Sequence, residues 1–264
     1  MLTTLPGFKG YIHDIGGPTA NFYTPACERQ ETQGACRGRE CIAQEACREL
    51  SVTHDEYLSV LRAVRNLPGV KKAFVRSGIR YDYVMLDPDS AFLNELCEHH
   101  ISGQLKIAPE HVSSRVLNVM GKPEKRVYEA FLTRYRAINS SLGKEQYVVP
   151  YFMSSHPGST VSDAIELAEY LRDNHIRPQQ VQDFIPTPGS LSTCIYHTGE
   201  HPLSGEKIYV PRSVAEKNAQ RALLQYFLPK NHDLVRATLL AAGRSDLVGY
   251  GPQCLVRPQR NASG

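Results

Sequence analysis

The sequence predicts an α/β fold in which about five parallel strands alternate with helices and a helical appendage follows. Short apolar runs that reach a Gly or Pro alternate with segments whose apolar residues recur at helical spacing. This alternation breaks down from about Ser192, where a polar, glycine-containing stretch begins. Strands separated by single helices pair in parallel through right-handed crossovers, so we expect a sheet or a partial (β/α) TIM-like barrel.

The first half of the chain contains three of the predicted strands. They lie in the runs GYIHDIGG, VKKAFVRSGIRYD and GQLKIAPEH. Thr53 and Glu56 have the capping-box spacing, which predicts the start of a helix between the first two strands. Its apolar face is expected to contain Tyr57, Leu58, Leu61 and Val64. Pro88 predicts the next helix start, because proline is favoured in the first helical turn.

The second half of the chain contains the other two strands, in QYVVPYFMSSHPGS and QQVQDFIPTPGS. A long amphipathic helix is predicted from Pro123, before the first of them, and another from Thr160, between the two. After residue 191 we expect a loop, followed by one helix capped by Ser213 and a second capped by Asn231.

The composition is that of an ordinary globular protein. Of the 264 residues, 41% are hydrophobic and 22% are charged, and the net charge is +3. This charge is too small to indicate nucleic acid or a membrane surface as a partner. The sequence contains no apolar run of about 18 residues and no signal-peptide pattern at its start, so we expect a cytoplasmic protein whose thiols stay reduced.

A cysteine-rich segment, residues 26–50, follows the first strand. It contains four of the seven cysteines, Cys27, Cys36, Cys41 and Cys47, separated by eight, four and five residues. Clustered cysteines of a reducing compartment more often bind metal than form disulfides, and four thiolates can hold zinc or an Fe–S cluster. Because no Cys-x2-Cys pair is present, an auxiliary Fe–S cluster is favoured over zinc. A loop without metal is the alternative.

Polar and small residues collect at the ends of the predicted strands. These ends read IGGPTAN, RSGIRYD, IAPEH, SSHPGS and PTPGS. In parallel α/β folds ligands bind at the carboxyl ends of the strands, where Gly lets a ligand approach the backbone and Ser, Glu and His supply hydrogen bonds. The same residue types occur in ordinary βα turns. Their recurrence at five strand ends favours a ligand site, to which His111 and His156 are candidate contributors.

Several of these segments resemble motifs of one enzyme family. DIGGPTAN, LKIAPEHVSSRVLNVMGKP and YFMSSHPGSTVSDAIELAEYLRDNHIRPQQVQDFIPTPGS resemble, in order and spacing, elements of radical S-adenosylmethionine (SAM) enzymes. The likeness is greatest to the YgiQ-type group and runs from about Phe8 to Pro258. The sequence departs from the family pattern in one feature. It lacks the Cys-x3-Cys-x2-Cys triad that binds the catalytic cluster of the family.

The resemblance implies two domains and a set of ligand-binding residues. Residues 1–191 would form a partial radical SAM barrel, from its second to its sixth strand with the cysteine-rich insert, and residues 192–264 a C-terminal extension. The implied cofactors are S-adenosylmethionine and a [4Fe–4S] cluster. By their place in the motifs, the residues implied to bind S-adenosylmethionine are Gly16, Gly17, Ser77, Glu110, Ser155, His156, Pro157 and Gly158.

The resemblance also implies an activity for the full-length protein, which would generate a 5′-deoxyadenosyl radical that abstracts hydrogen from an unidentified substrate. Because the triad is missing and the sequence enters a strand within ten residues of Met1, we expect the chain alone to be inactive and an N-terminal companion fragment to carry the triad. A non-catalytic metal-binding scaffold or a subunit of a split protein is the alternative. RNA binding through Lys207, Arg212, Lys217 and Arg221 is disfavoured because no charge excess supports it.

Overall fold

The computed structural model describes residues 2–17, 19–23, 26–37, 39–43, 45–89 and 91–259. The strands in this part of the chain are β1 (Tyr11–Ile12), β2 (Lys72–Ala73), β3 (Gln104–Glu110), β4 (Tyr147–Ser154) and β5 (Gln182–Asp183). The helices are α1 (Glu28–Gln33), α2 (Asp55–Arg65), α3 (Tyr81–Leu86), α4 (Ala91–Glu95), α5 (Ser114–Val119), α6 (Lys125–Ser141), α7 (Val161–Asp173), α8 (Leu191–Thr198), α9 (Val214–Leu224) and α10 (His232–Ala241). None of these helices has both the length and the apolar composition needed to cross a membrane.

The strands form two small sheets. In the first, β1 pairs in parallel with β2, with Tyr11 opposite Lys72. In the second, β4 lies between β3 and β5 and pairs in parallel with β5, with Met153 opposite Gln182. The α/β class and the parallel pairing are therefore confirmed. The described strands form no closed barrel, and the partial barrel stays a prediction.

The chain divides into two compact units. The first consists of Met1–Pro109 and Pro123–Pro150, and the second of Glu110–Lys122 and Tyr151–Gly264. The second unit thus joins the loops that follow β3 and β4 to the C-terminal helices. The domain boundary predicted after residue 191 stays a prediction.

Amphipathic helices supply much of the core of the first unit. α2 buries Tyr57, Leu58 and Leu61, which are three of the four residues predicted for its inner face. The apolar side chains that α6 buries are Tyr128, Phe131, Leu132, Tyr135 and Ile138. In both helices these buried residues recur at intervals of three or four, with one adjacent pair in each helix, which places them on one side of the helix.

In the second unit, α9 packs against both α7 and α10. α7 begins with a reciprocal cap, in which the Thr160 side chain accepts a hydrogen bond from the Asp163 N–H and the Asp163 carboxylate accepts one from the Thr160 N–H. α9 begins after Ser213, whose hydroxyl accepts from the Glu216 N–H at 3.1 Å. Both helices start at the predicted positions. At each start the capping side chain accepts from an N–H group that has no partner within the helix, which stabilises the helix start.

Two local predictions were wrong. The loop expected after residue 191 contains α8, whose N-cap Ser190 accepts from the Thr193 N–H and which Gly199 ends with a φ of 74°. The capping box expected at Thr53 is absent, because its hydroxyl accepts from the Asp55 N–H and His54 occupies the N-cap of α2.

Candidate functional site

Two neighbouring strands of the second sheet end in strained backbone. β3 ends at Glu110, whose φ is 65°, and β4 is followed directly by Ser155, whose φ is 62°. The left-handed region disfavours residues other than glycine, at a cost of about 1 kcal/mol or more for each. Such conformations persist where surrounding contacts hold them, and they concentrate at functional sites. Both residues belong to the predicted ligand-binding set.

Glu110 places a half-buried carboxylate at the end of β3. One carboxylate oxygen lies 2.9 Å from Nζ of Lys122. The negative charge of Glu110 also reaches Tyr151, because the pKa of Tyr151 is raised by burial first and by Glu110 second. A carboxylate in this position can accept hydrogen bonds from the hydroxyl or ammonium groups of a ligand, while Lys122 balances its charge.

Ser155 presents a buried hydroxyl group without a partner. Its residue is 1% exposed, and no described atom hydrogen-bonds to its Oγ. Its backbone N–H, in contrast, donates to Oε1 of Gln220 at 3.1 Å. An unpaired buried hydroxyl costs about 1–3 kcal/mol, so a polar ligand group that reached this hydroxyl would recover that free energy.

His156 is buried and held on both ring nitrogens. Nδ1 donates to the carbonyl oxygen of Pro157 at 2.7 Å, because a carbonyl can only accept. In the neutral ring Nε2 must then be the acceptor, and the Ser192 hydroxyl donates to it at 2.9 Å. Burial lowers the pKa of His156 to about 4. The side chain is therefore neutral at pH 7 and shapes the loop after β4 instead of exchanging protons there.

His111 is likewise a structural histidine. It is 2% exposed, and its Nδ1 accepts from the Ser113 N–H at 3.0 Å. Burial lowers its pKa to about 4, although the negative charge of Asp163 acts in the opposite direction. The Ser113 hydroxyl donates to Asp163 at 2.8 Å, which ties the loop after β3 to the first turn of α7.

Gly158 is required by the loop after β4 itself. Its φ is 89°, and a Cβ there would lie 3.0 Å from Cγ2 of Val119 in α5. Its N–H donates to the carbonyl of Tyr209 at 2.7 Å. Any larger residue would combine backbone strain with a close contact. Pro157, which precedes it, is buried and contributes the carbonyl that orients His156.

In the first unit, Ser77 is bound by an acidic side chain. Oδ1 of Asp14 accepts from the backbone N–H groups of Arg76 and Ser77 and from the Ser77 hydroxyl. Burial raises the pKa of Asp14, but these hydrogen bonds outweigh it and leave the pKa below its usual value. Asp14 thus joins the loop after β1 to the loop after β2 and engages the predicted ligand-binding hydroxyl.

Gly16 and Gly17 differ in their surroundings. Gly16 has a φ of 152°, and a Cβ there would lie 2.5 Å from Cβ of Ala20, whereas a Cβ on Gly17 would meet nothing within 4 Å. The neighbouring Ile15 carbonyl accepts from the Tyr57 hydroxyl at 2.6 Å. Gly16 is therefore needed for local packing, and Gly17 is the member of the pair with open space beside it.

A buried hydrogen-bond chain, absent from the sequence prediction, also lies in the first unit. The His54 ring bonds to Asp87 through Nδ1 and to Asn21 through Nε2, and all three residues are nearly fully buried. The ring stacks on Phe92 with centroids 4.1 Å apart. Asn, His and Asp are common loop residues, so no signal in the sequence distinguishes these three.

The cysteine-rich segment contains α1 and several turns. Its four cysteines, like the other three, are free thiols of the chain. The pKa of Cys41 is raised by burial first and then by Cys47, Cys36 and Cys27, so the four thiols lie close enough for their charges to interact. Within the described ranges, no three His, Cys, Asp or Glu side chains are arranged to hold a metal ion. The four thiols that could bind a metal are thus present, but the described side chains are not arranged around a common metal position.

Two cavities of about 440 Å³ each lie beside this segment. One has mainly apolar walls that include Ile42, Met85 and Val127. The other is polar and is lined in part by Cys27 and Glu49. Both are large enough for a small ligand or a partner's side chain.

These features define the class of protein. It is an α/β protein in which the loops after two neighbouring strands carry buried polar residues, with left-handed backbone at Glu110 and Ser155, and whose chain includes a cysteine-rich segment. Ligand sites of α/β folds occupy this position, at the carboxyl ends of the strands.

Comparison with known proteins places the chain beside proteins of the UPF0313 group. It is 56% identical over 256 residues to a UPF0313 protein of Clostridium botulinum strain 657, and this match covers 97% of the chain and 40% of that protein. It is also 56% identical over 260 residues to a UPF0313 protein of Clostridium perfringens strain 13, covering 98% of the chain and 39% of that protein. The chain therefore spans about two fifths of the length of these relatives. Residues 179–264 match a domain of unknown function, DUF3362.

Proposed function

We propose that this chain is a portion of a radical S-adenosylmethionine Fe–S enzyme of the YgiQ type. UPF0313 is the YgiQ-type group, so the similarity to UPF0313 proteins and the motifs of the sequence support the same assignment. When bound, S-adenosylmethionine would supply the adenosyl group from which the full-length protein generates a radical for hydrogen abstraction. The substrate is not indicated by the motifs.

The observation that carries this proposal is the unpaired hydroxyl of Ser155 beside the left-handed backbone of two strand ends. Ser155 would donate a hydrogen bond to the adenosine part of the ligand, and Glu110 would accept from its ribose hydroxyls or its ammonium group. His156, being neutral and bound on both nitrogens, would hold Pro157 and Gly158 in place against the ligand. Gly16, Gly17 and Ser77 lie in the first unit, and the ligand-binding role that the resemblance implies for them stays a prediction.

The catalytic [4Fe–4S] cluster does not fit the residues of this chain. Its three ligands in the family occur as Cys-x3-Cys-x2-Cys, and the cysteines of this chain at 27, 36, 41 and 47 have other spacings. No chemical step of this chain therefore runs through that cluster. We expect the chain alone to bind the ligand without cleaving it, and the triad to be supplied by an N-terminal companion.

The edge of the first sheet is a candidate surface for that companion. β1 is paired on one side only in the described sheet, and Tyr11 on this strand is 46% exposed. A free strand edge with an exposed aromatic residue favours pairing with another strand.

The free thiols of the chain suit the reducing conditions of the cytoplasm, where we place the protein.

We propose further that the cysteine-rich segment binds an auxiliary Fe–S cluster or zinc through Cys27, Cys36, Cys41 and Cys47. The electrostatic coupling of Cys41 to the other three thiols supports this set of donors. The matched control is the exposed Cys194, which lies outside the segment. Elemental analysis and absorbance of the anaerobically reconstituted chain should show bound iron or zinc that Cys41→Ser removes and Cys194→Ser retains. Equal metal content in all three proteins would contradict the proposed site.

A direct test of the main proposal is binding of S-adenosylmethionine to the chain by calorimetry. We expect Ser155→Ala to weaken binding about tenfold, which corresponds to the loss of one buried hydrogen bond. Thr193→Ala, a hydroxyl of the same unit that bonds within its own loop and helix, should leave affinity unchanged. Absence of binding to the unsubstituted chain would refute the assignment.

The second candidate function is a non-catalytic metal-binding scaffold or split-protein subunit, which the missing triad favours. The two candidates are separated by an assay for 5′-deoxyadenosine after anaerobic reconstitution with iron and sulfide, in the presence of S-adenosylmethionine and an added one-electron reductant. The chain with a companion that carries the triad should form the product if the protein is part of a radical enzyme. A scaffold should bind metal but form no 5′-deoxyadenosine, whether it is assayed alone or with the companion.

A further inference from the structure

Gln220 lies at the centre of a hydrogen-bond network that joins α9 to the loop after β4, residues 155–159. Its side chain is 0% exposed. Oε1 accepts from the Ser155 N–H at 3.1 Å and from the Ser159 hydroxyl at 2.9 Å. Nε2 donates to the Ser159 carbonyl at 3.0 Å and to Oε1 of Glu216 at 3.3 Å. The amide thereby uses both of its donors and both of its acceptor positions.

The chemistry of the partners fixes the orientation of this amide. A backbone N–H can only donate and a carbonyl can only accept, so the oxygen of Gln220 must face Ser155 and its nitrogen must face the Ser159 carbonyl. The loop has a further bond to the same region, from the Gly158 N–H to the Tyr209 carbonyl at 2.7 Å. The hydroxyl of Tyr209 in turn donates to Glu216 at 2.7 Å. Residues 155, 158 and 159 are thus all held by the C-terminal segment.

We propose that the segment matched by DUF3362 positions the loop after β4, with Gln220 as the positioning residue that holds Ser155 in its left-handed conformation. Serine has no intrinsic preference for this conformation, so a contact has to stabilise it. The hydrogen bond from the Ser155 N–H to Gln220 is such a contact, and it is buried. Without it the N–H would be left unpaired, and Ser155 would move to an ordinary backbone conformation that carries its hydroxyl elsewhere.

This conformational role is independent of the ligand, whereas its consequence for binding rests on the function proposed above. The C-terminal segment holds the loop that follows β4, and both belong to one compact unit.

The test is amide hydrogen exchange of the ligand-free chain, measured at Ser155 by NMR. In Gln220→Met, which is close in shape but forms no such hydrogen bonds, we expect the Ser155 amide to exchange at least tenfold faster. The matched control is Gln225→Met, because Nε2 of Gln225 donates to the carbonyls of Pro178 and Gln179 instead. Exchange at Ser155 should be unchanged in this control. Equal acceleration in both variants, or none in Gln220→Met, would overturn the proposal.

Two further variants separate positioning from general stabilisation. Gln220→Glu keeps the acceptor for the Ser155 N–H but turns an oxygen toward the Ser159 carbonyl and the Glu216 carboxylate, so it should be less stable than the unsubstituted chain. Its Ser155 amide should still exchange at least threefold more slowly than that of Gln220→Met. If Gln220→Met does not fold, Gln220→Asn, whose amide is too short to reach the Ser155 N–H, takes its place with the same expected acceleration. Ser155→Gly adopts a positive φ without strain. The change in unfolding constant caused by Gln220→Met should therefore be at least threefold smaller in the Ser155→Gly background. An equal change in both backgrounds would mean that Gln220 does not hold the strained conformation.

Binding of S-adenosylmethionine then connects the loop to function. We expect Gln220→Met to weaken it about tenfold and Gln225→Met to leave it unchanged. If the unsubstituted chain does not bind this ligand, the proposed function fails, while the exchange experiment still decides the positioning role.

Discussion

Nδ1 of His54 lies 2.5 Å from Oδ2 of Asp87, and both side chains are buried. Nε2 of the same ring bonds to the amide nitrogen of Asn21, whose oxygen accepts from the Arg80 N–H. Since the Asn21 oxygen is already engaged by a donor, its nitrogen must face the ring, which makes Nε2 the acceptor and Nδ1 the donor. The neutral ring agrees with a pKa of His54 that burial lowers, against the opposing effect of Asp87. The hydrogen bonds among Asn21, His54 and Asp87 thus join three segments that are far apart in sequence.

Replacing His54 with Ala is therefore expected to destabilise the first unit. The change leaves the buried Asp87 and Asn21 without their shared partner and opens a cavity beside Phe92. We expect a loss of about 3 kcal/mol in the free energy of unfolding. Urea unfolding monitored by circular dichroism measures this loss.

The control for this prediction is His13→Ala, at an exposed position of the same unit. Its effect should be within about 0.5 kcal/mol, as for most surface substitutions. A loss of similar size at both positions would contradict a stabilising role for the buried hydrogen bonds of His54.

Gly16 and Gly17 provide a second prediction, because they are adjacent and differ in packing. Gly16→Ala places a Cβ 2.5 Å from Cβ of Ala20 in a backbone conformation that side chains rarely adopt. We expect it to cost about 2 kcal/mol of unfolding free energy. Gly17→Ala should cost less than about 0.5 kcal/mol, since its Cβ meets nothing within 4 Å. Thermal unfolding of the two variants side by side gives the comparison, and equal stabilities would contradict it.

The alternation of strands and helices could be predicted because it depends on local signals. The start of α7 is one example, since Thr160 and Asp163 are three residues apart and satisfy each other's N–H groups. The apolar spacing of α6 is another, because one face of the helix is buried. α8 was missed although Ser190 and Gly199 carried the usual signals for a helix start and end.

The chemistry of the loops could be predicted only in part, because it depends on contacts between distant residues. Asn21, His54 and Asp87 are 33 residues apart at each step, and nothing local marks them. The left-handed backbone of Glu110 and Ser155 was also unforeseen, since neither residue type favours positive φ. Gln220 lies on a helix that was predicted, but the pattern of that helix does not show that its amide bonds to residue 155.

The two buried histidines of the second unit predict a pH dependence of stability. Their pKa values are about 4 in the folded chain, because burial disfavours the charged ring, whereas an exposed histidine has a pKa near 6.5. Above pH 6.5 they are neutral in both states and stabilisation is complete. As the pH falls from about 6.5 to 4, the unfolded chain takes up protons that the folded chain does not, so stability decreases by at most about 3 kcal/mol per histidine.

Unfolding by urea at a series of pH values measures this slope. The groups whose charges act on His111 are Asp163, His156 and Arg115, and those that act on His156 are Glu110 and Lys122. Asp163 has a lowered pKa and affects stability in a lower range, below about pH 4. His156→Gln should flatten the slope between pH 6.5 and 4, and His197→Gln, at an exposed position, is the control for the loss of a histidine. An unchanged slope in His156→Gln would contradict the assigned cause.

Ser155→Gly is expected to make the chain more stable and to weaken ligand binding at the same time. Glycine adopts the observed φ of 62° without strain, and the change also removes a hydroxyl that is buried without a partner among the described residues. These gains exceed the entropy that glycine adds to the unfolded chain, so we expect a net stabilisation of about 1 kcal/mol.

Ser155→Ala separates the two contributions, because it removes the hydroxyl and keeps the strained backbone. It should be less stable than Ser155→Gly and should bind S-adenosylmethionine as weakly. Functional sites commonly retain residues that reduce stability, since the same strain and unpaired groups serve the ligand. If Ser155→Gly instead destabilised the chain and left affinity unchanged in calorimetry, Ser155 would be a structural residue and the site would have to lie elsewhere.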